Sequence, residues 1–198
     1  AEGMAKQDNY PFNKFKVSKY NMETRKRAIP KSEMLKIINL KHDIRTSKWS
    51  IDSKNYFLFS FYNRGINLID MAFLKWSNID NKRIKYRRLK TGKEFDIEIH
   101  PQAEKILDHY RKEEDADDDY VFPILNDSIH KNAQSQRDRI KKIRARTNAD
   151  IKEIAREVKI KNSDKISHYC ARHSWATIMK NNGNSVAMIS EGMGHMDE

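Results

Sequence analysis

The stretch "KRIKYRRLKTGKEFDIEI", residues 82–99, has a different hydrophobic period from the segments on either side of it. Apolar and charged residues alternate before and after Thr91-Gly92, and the apolar positions are Ile84, Tyr86, Phe95, Ile97 and Ile99. A period of two is typical of a half-buried strand, and two such runs around a glycine turn predict a β-hairpin. The predicted hairpin has a Lys-Thr-Gly-Lys tip at residues 90–93.

The segments outside the hairpin have the spacing of amphipathic helices. Pro30 and Ser32 are start signals, and Asn182-Gly183 is a stop signal. We predict helices from Pro30, from about Asp52 through Phe61, across Leu68 to Leu74, from Pro101, over 134–158 with a break near 147–150, over 171–181, and over 186–193. The acidic residues 113–119 are interpreted as a solvated loop. The predicted fold class is mainly α with a small antiparallel β-sheet.

Length and charge limit the class of protein. A chain of 198 residues suits one sizeable domain, predicted at residues 29–198, with residues 1–28 as a linker or arm. The formal charge of +11 favours a polyanionic partner, nucleic acid before an anionic membrane. No apolar run is long enough to span a bilayer. The single cysteine, Cys170, cannot form an internal disulfide, which favours a reducing cytoplasm.

Two segments concentrate positive charge. The hairpin carries Lys82, Arg83, Lys85, Arg87, Arg88, Lys90 and Lys93, and such charges bind phosphate backbones with release of counterions. A solvated pair of strands is the alternative interpretation. A second basic run covers residues 137–146, where a solvated helix face competes with a binding surface.

The stretch "HYCARHSWAT", residues 168–177, places an arginine between two histidines at the predicted start of a helix. The fork of the Arg172 guanidinium matches two phosphate oxygens, and a helix N-terminus adds partial positive charge. About twenty residues later, "MGHM" brings His195 after a short apolar helix. Together with Arg64 and Lys90, these groups lie at element boundaries, where binding sites are often built. The alternative is a coincidence on a solvated helix end.

The motifs, in this order and spacing, resemble the catalytic domain of tyrosine recombinases, the phage-integrase type of site-specific DNA recombinase. The resemblance covers residues 27–198 and is carried by "GINLIDMAFLKWSNID", "LKTGK", "YVFP", "ARHSWAT" and "MISEGMGH". The phrase "ARHSW" further resembles integrases of Bacteroides-type mobile elements.

The resemblance implies DNA strand cleavage and rejoining through a 3′-phosphotyrosyl intermediate. Arg172 and a second arginine would clamp the scissile phosphate, Lys90 would protonate the leaving 5′ hydroxyl, and His195 would hydrogen-bond or move protons. Further contacts to double-stranded DNA are predicted for Arg87, Arg88, Lys93 and His173. No metal or other cofactor is implied. The implied setting is a bacterial cytoplasm, with a monomer in solution and a tetramer on DNA.

Three departures from the family pattern affect these expectations. Asn67 stands at the family's first-arginine position, and we predict that Arg64, one helical turn earlier, supplies that guanidinium. Tyr169 stands where the family has a histidine; it could donate a hydrogen bond to phosphate or only pack. No tyrosine follows His195 in these 198 residues, so a truncated catalytic domain is the expectation. The alternative function is a basic DNA-binding module without strand-transfer chemistry.

Overall fold

The computed structural model describes residues 27–41 and 47–194. Within these ranges the chain forms a mainly helical fold with one small sheet, as the sequence predicts. The helices are Lys31–Asn39 (α1), Lys48–Tyr62 (α2), Leu68–Ala72 (α3), Pro101–Tyr110 (α4), Ala133–Glu157 (α5), Cys170–Asn181 (α6) and Val186–Met193 (α7). The strands are Ile79–Asp80 (β1), Arg83–Arg87 (β2) and Glu94–Glu98 (β3). The predicted arm at residues 1–28 lies almost wholly outside the described residues.

Helix α2 is the centre of the core. It begins at the Ser47 cap, whose side chain accepts a hydrogen bond from the Ser50 amide. Its apolar residues do not form a single stripe, and the helix packs against α4, α5 and α6. A helix that is apolar on most sides is one that its neighbours surround. Its C-terminal end at Tyr62 leads directly into the corner around which the candidate site is built.

Helix α5 contradicts one prediction, because it runs without a break through residues 147–150. Thr147 and Asp150 are buried there, and the Asp150 carboxylate finds hydrogen-bond partners. Asp150 is buried, and its carboxylate accepts hydrogen bonds from Ser53 Oγ at 2.7 Å and from Arg146 Nε at 3.1 Å. The polar cluster therefore belongs to a helix–helix contact, which favours a continuous helix.

The sheet has the order β1-β2-β3, with antiparallel neighbours throughout. The predicted hairpin is confirmed, with Ile84 opposite Ile97 and Tyr86 opposite Phe95. Strand β1, which the sequence analysis did not predict, adds two residues at the edge. Ile84 and Ile97 face the core, so the hairpin tip is held at a fixed place relative to the helices. Among the described residues, no helix is long and apolar enough to cross a bilayer.

Candidate functional site

The chain turns sharply after α2, and this corner receives the side chain of Arg172. Gly65 has a φ of +77°, a conformation that glycine adopts at little cost. A Cβ at this position would lie 2.4 Å from Arg172 Cγ, so the backbone approaches the arginine as closely as a glycine allows. The Gly65 carbonyl accepts a hydrogen bond of 3.1 Å from Arg172 Nη1. The corner thus fixes one edge of the guanidinium.

Arg172 extends from the first turn of α6 and is only 5% exposed. Its Nη2 donates to the main-chain carbonyl of Met193, at 2.6 Å, so α7 fixes a second edge of the guanidinium. Burial lowers the pKa of Arg172 from its usual value, the charge of Arg88 lowers it further, and the Tyr169 hydroxyl, a hydrogen-bonding neighbour, opposes the shift. Arginine starts from so high a pKa that it stays charged.

Arg88 lies beside Arg172. Arg88 is one of the predicted DNA-contacting residues of the hairpin, and its side chain turns inward and is 8% exposed. Its Nη1 donates to the same Met193 carbonyl, at 3.2 Å. Because both nitrogens bond one oxygen, they lie within about 6 Å of each other. The Arg88 Nε is buried and has no hydrogen-bond partner among the described residues.

Asp70 connects α3 to the hairpin tip. Its buried carboxylate accepts a hydrogen bond of 3.0 Å from the Leu89 amide, immediately before Lys90. Burial raises the pKa of Asp70, whereas the Leu89 N–H and the positive charges of Arg88 and Arg172 oppose that rise. Asn67 donates to the other Asp70 oxygen at 3.4 Å, and its amide carries no charge with which to bind a phosphate. Lys90 itself is exposed on the turn.

Arg64 lies in the corner between α2 and α3, with a φ of +56°. Its side chain is half-buried and passes near α7, since a Cβ added at Gly192 would lie 3.7 Å from Arg64 Cδ. Burial raises the pKa of Tyr86, and the charges of three arginines oppose that rise: Arg88, Arg172 and Arg64. The predicted Arg64 and the inward-turned Arg88 are therefore both near Arg172.

The residues before and after Arg172 divide between surface and core. Tyr169 is 44% exposed at the N-terminal end of α6, and its ring meets the edge of His173 with centroids 4.8 Å apart. Burial, followed by the charges of Arg27 and Arg172, lowers the pKa of His173. His168 is a core residue: its backbone amide donates to Asn148 Oδ1, and its Nε2 lies 3.2 Å from the Tyr56 carbonyl.

The burial of His168 predicts a pH dependence of stability. Loss of hydration lowers the pKa of His168 from 6.5 to about 4, with the Tyr56 carbonyl opposing the shift. The unfolded chain therefore binds more protons between these values, so stability is full above the unfolded pKa and falls with pH towards the folded one. We expect the free energy of unfolding to decrease by about 2 kcal/mol between pH 7 and pH 5 from this group.

Denaturant titrations of the wild type and His168→Gln at both pH values measure this contribution. The variant should have a smaller pH dependence by about that amount. Equal pH dependence in the two proteins would show that the pKa of His168 is the same in the folded and unfolded chains, against the shift expected from its burial.

The other predicted contacts are distributed along the rim of the hairpin. Arg87 is exposed, and its Nε donates to the Gly92 carbonyl at 2.8 Å across the turn. Lys93 is half-buried at the same turn. His195 lies outside the described residues, directly after Gly194. No group of three or more His, Cys, Asp or Glu residues suited to a metal ion occurs within the described ranges.

A comparison with protein-family models identifies the class of protein. The model of the "Phage integrase family" matches residues 27–198, and the chain belongs to that family. Among solved structures, the chain is similar to one titled "Crystal structure of XerA recombinase", with a TM-score of 0.50 and 19% identity. The match covers 81% of this chain and 59% of that one, and it supports the fold. No curated protein gives a significant match.

The sequence contained a signal for the position of Arg88. Ile84, Tyr86 and Arg88 are spaced two residues apart, so they share one face of the hairpin, and Ile84 is fully buried. Arg87 belongs to the opposite, exposed face. The strand period therefore separates the two adjacent arginines, although composition alone treats them as equivalent.

Proposed function

We propose that this chain is the catalytic domain of a site-specific DNA recombinase, which cleaves and rejoins DNA strands through a 3′-phosphotyrosyl intermediate. The observation that carries the proposal is the convergence of two buried guanidinium groups, Arg88 and Arg172, on one point between α6, α7 and the hairpin. Two positive charges so close together repel each other, and an anion placed between them relieves the repulsion. A phosphodiester has the charge and the paired oxygens that arginine forks bind.

For the described residues each role rests on the position of the side chain, and for His195 it rests on the family resemblance. Arg172 and Arg88 hold the scissile phosphate and stabilise the additional negative charge of the transition state. Lys90, on the tip anchored by Asp70, protonates the leaving 5′ oxygen. His195 and the exposed Tyr169 donate hydrogen bonds to phosphate oxygens. Arg64 contacts the phosphate from the corner between α2 and α3, as a weaker member of the clamp, and Arg87, Lys93 and His173 contact flanking DNA.

The same proposal extends to the biological setting. The "ARHSW" phrase supports an integrase of a Bacteroides-type mobile element in a bacterial cytoplasm, working on chromosomal DNA. Residues 29–198 act as the catalytic domain, and residues 1–28 act as the link to a further DNA-binding part. Assembly from monomers into a tetramer takes place on DNA, and the nucleophilic tyrosine follows His195 by about ten residues in the full-length protein, as the family resemblance implies.

Formation of a covalent protein–DNA adduct tests the proposal. A target duplex is first selected from a random library by retention on the full-length protein, and it is then nicked near the cleavage position so that the cleaved end diffuses away. The adduct should accumulate in buffer that contains a metal chelator. Tight and salt-sensitive binding without any adduct would instead favour the second candidate, a basic DNA-binding module, which the net charge of +11 also supports.

The same assay compares Arg88 with Arg64. At saturating DNA, we expect Arg88→Ala to slow adduct formation by about a hundredfold, because it removes a preorganised donor at the phosphate. Arg64→Ala should slow adduct formation by about tenfold or less. Arg64 is half-buried and therefore less preorganised than Arg88, and other residues maintain the corner in which it lies. The reverse order of effects would assign the first-arginine role to Arg64.

A further inference from the structure

The last turn of α7 accepts hydrogen bonds from Arg172 and Arg88, the two side chains that are proposed to hold the phosphate. The final carbonyl groups of a helix have no donor within the helix. At the end of α7 the chain turns into Gly194, with φ +70° and ψ 33°, and the Met193 carbonyl is left to accept from other groups. It accepts from Arg172 Nη2 at 2.6 Å and from Arg88 Nη1 at 3.2 Å.

Packing with the sheet and with α6 fixes the position of this turn. A Cβ at Gly194 would lie 2.2 Å from Phe95 Cζ, so the turn rests directly on the Phe95 ring. That ring stacks on Tyr86, with centroids 5.0 Å apart, two residues before Arg88. On the other side, a Cβ at Gly192 would lie 3.0 Å from Trp175 on α6. The Met193 carbonyl is therefore held in place by contacts other than its bonds to the arginines.

A fixed carbonyl between two guanidinium groups has a physical consequence. The C-terminal end of a helix carries partial negative charge, which offsets part of the repulsion between Arg88 and Arg172. Each guanidinium has five N–H donors, so its bond to Met193 uses only one of them. The two groups can then keep one mutual spacing while no substrate is bound, which is the condition for a preorganised anion site.

We propose that the main-chain carbonyl of Met193 is a positioning group that holds the guanidinium groups of Arg88 and Arg172 at a fixed spacing before DNA binds. The holding itself follows from the contacts of α7, whereas its benefit to phosphate binding rests on the proposed function. A competing role is that the carbonyl occupies the phosphate position and blocks it. The two roles predict opposite effects when the carbonyl is displaced.

Displacement is achieved with Gly194→Ala, whose added methyl group would collide with Phe95. The matched control is Gly183→Ala. Gly183 also has a positive φ, +87°, but nothing lies within 4 Å of the position of an added Cβ. Both variants place alanine in the left-handed region, so their difference isolates the collision.

The first readout needs no ligand. With ¹⁵N-labelled arginine, bonds to Met193 should slow rotation of the Arg88 and Arg172 guanidinium groups, and the signals are assigned with Arg88→Gln and Arg172→Gln. We expect slow rotation in the wild type and in Gly183→Ala, and faster rotation in Gly194→Ala, above all for Arg88, because Arg172 keeps its bond to Gly65. Adding Phe95→Leu to Gly194→Ala removes the colliding ring atom and should restore slow rotation. Unchanged rotation in a folded Gly194→Ala would overturn the positioning role.

The second readout is a titration of the same samples with inorganic phosphate. Gly194→Ala should bind phosphate about tenfold more weakly than the wild type, and Gly183→Ala within about twofold of it. Tighter binding by Gly194→Ala would instead identify a blocking carbonyl.

If Gly194→Ala does not fold, the wild type alone tests the positioning role. Scalar coupling across the hydrogen bonds between Met193 ¹³C′ and the arginine nitrogens should then be observed, and its absence overturns that role. Slow rotation without phosphate binding would leave the positioning role intact and contradict the proposed function.

Discussion

Replacing Arg172 with alanine is expected to slow formation of the covalent protein–DNA adduct by about a thousandfold at saturating DNA. The Arg172 guanidinium is held by the Gly65 and Met193 carbonyls, so it is already oriented when the phosphate arrives. Loss of a fixed charge from a buried site removes stabilisation of the transition state. Water cannot replace it, because water dipoles must reorient during the reaction. The single-turnover rate on the nicked duplex measures this effect.

A matched control separates the local role of Arg172 from loss of net charge. Arg156 is a surface arginine paired with Asp164 at 2.7 Å, and Arg156→Ala changes the net charge by the same amount. It should alter the single-turnover rate by less than about threefold, since exposed ion pairs contribute little. A folded Arg172→Ala protein with the rate of the control would contradict the assignment of the site.

Replacing Lys90 with alanine is expected to slow adduct formation by about a thousandfold on ordinary DNA, within the range of general acid catalysis. Lys90 is exposed on the hairpin tip, and the bond from Leu89 N to Asp70 fixes the tip at its base. On a duplex whose leaving 5′ oxygen is replaced by sulfur, Lys90→Ala should react within about tenfold of the wild type, because a thiolate leaves without a proton.

The sulfur substrate distinguishes proton donation from phosphate binding. Arg172→Ala should remain slow on this substrate, since its defect concerns charge on the phosphate rather than the leaving group. Lys105→Ala, at an exposed lysine of α4, serves as the control for loss of one ammonium group. If Lys90→Ala is equally slow on oxygen and sulfur substrates, Lys90 is not the general acid.

Local patterns predicted much of this fold. The period-two alternation predicted the hairpin, and the spacing of apolar residues predicted helix α7 with its observed bounds, Val186–Met193. These features depend on residues close together in sequence, where the repeat of a strand or helix is visible directly. The break predicted in α5 was wrong because Asp150 bonds Ser53, a residue 97 positions away.

The arrangement of the arginines could be predicted only in part. Motif spacing singled out Arg172, Lys90 and Arg64, but spacing along the chain does not say which side chains share an acceptor. The convergence of Arg88 and Arg172 on Met193 joins the hairpin to two helices near the other end of the described chain, with Arg88 105 residues before Met193. The left-handed corner at Arg64 and Gly65, which admits Arg172, likewise depends on tertiary contacts.

The central claim is that Arg88 and Arg172 act together on the charge of one phosphate. The most direct measurement compares binding of two selected duplexes, one with all phosphates and one with a neutral methylphosphonate at the cleavage position. The wild type should bind the neutral duplex about thirtyfold more weakly, since charge-assisted bonds from both arginines are lost. The double variant Arg88→Gln/Arg172→Gln should lose most of this preference, with only the weaker contact of Arg64 remaining. An undiminished preference for the charged duplex in the double variant would contradict the claim.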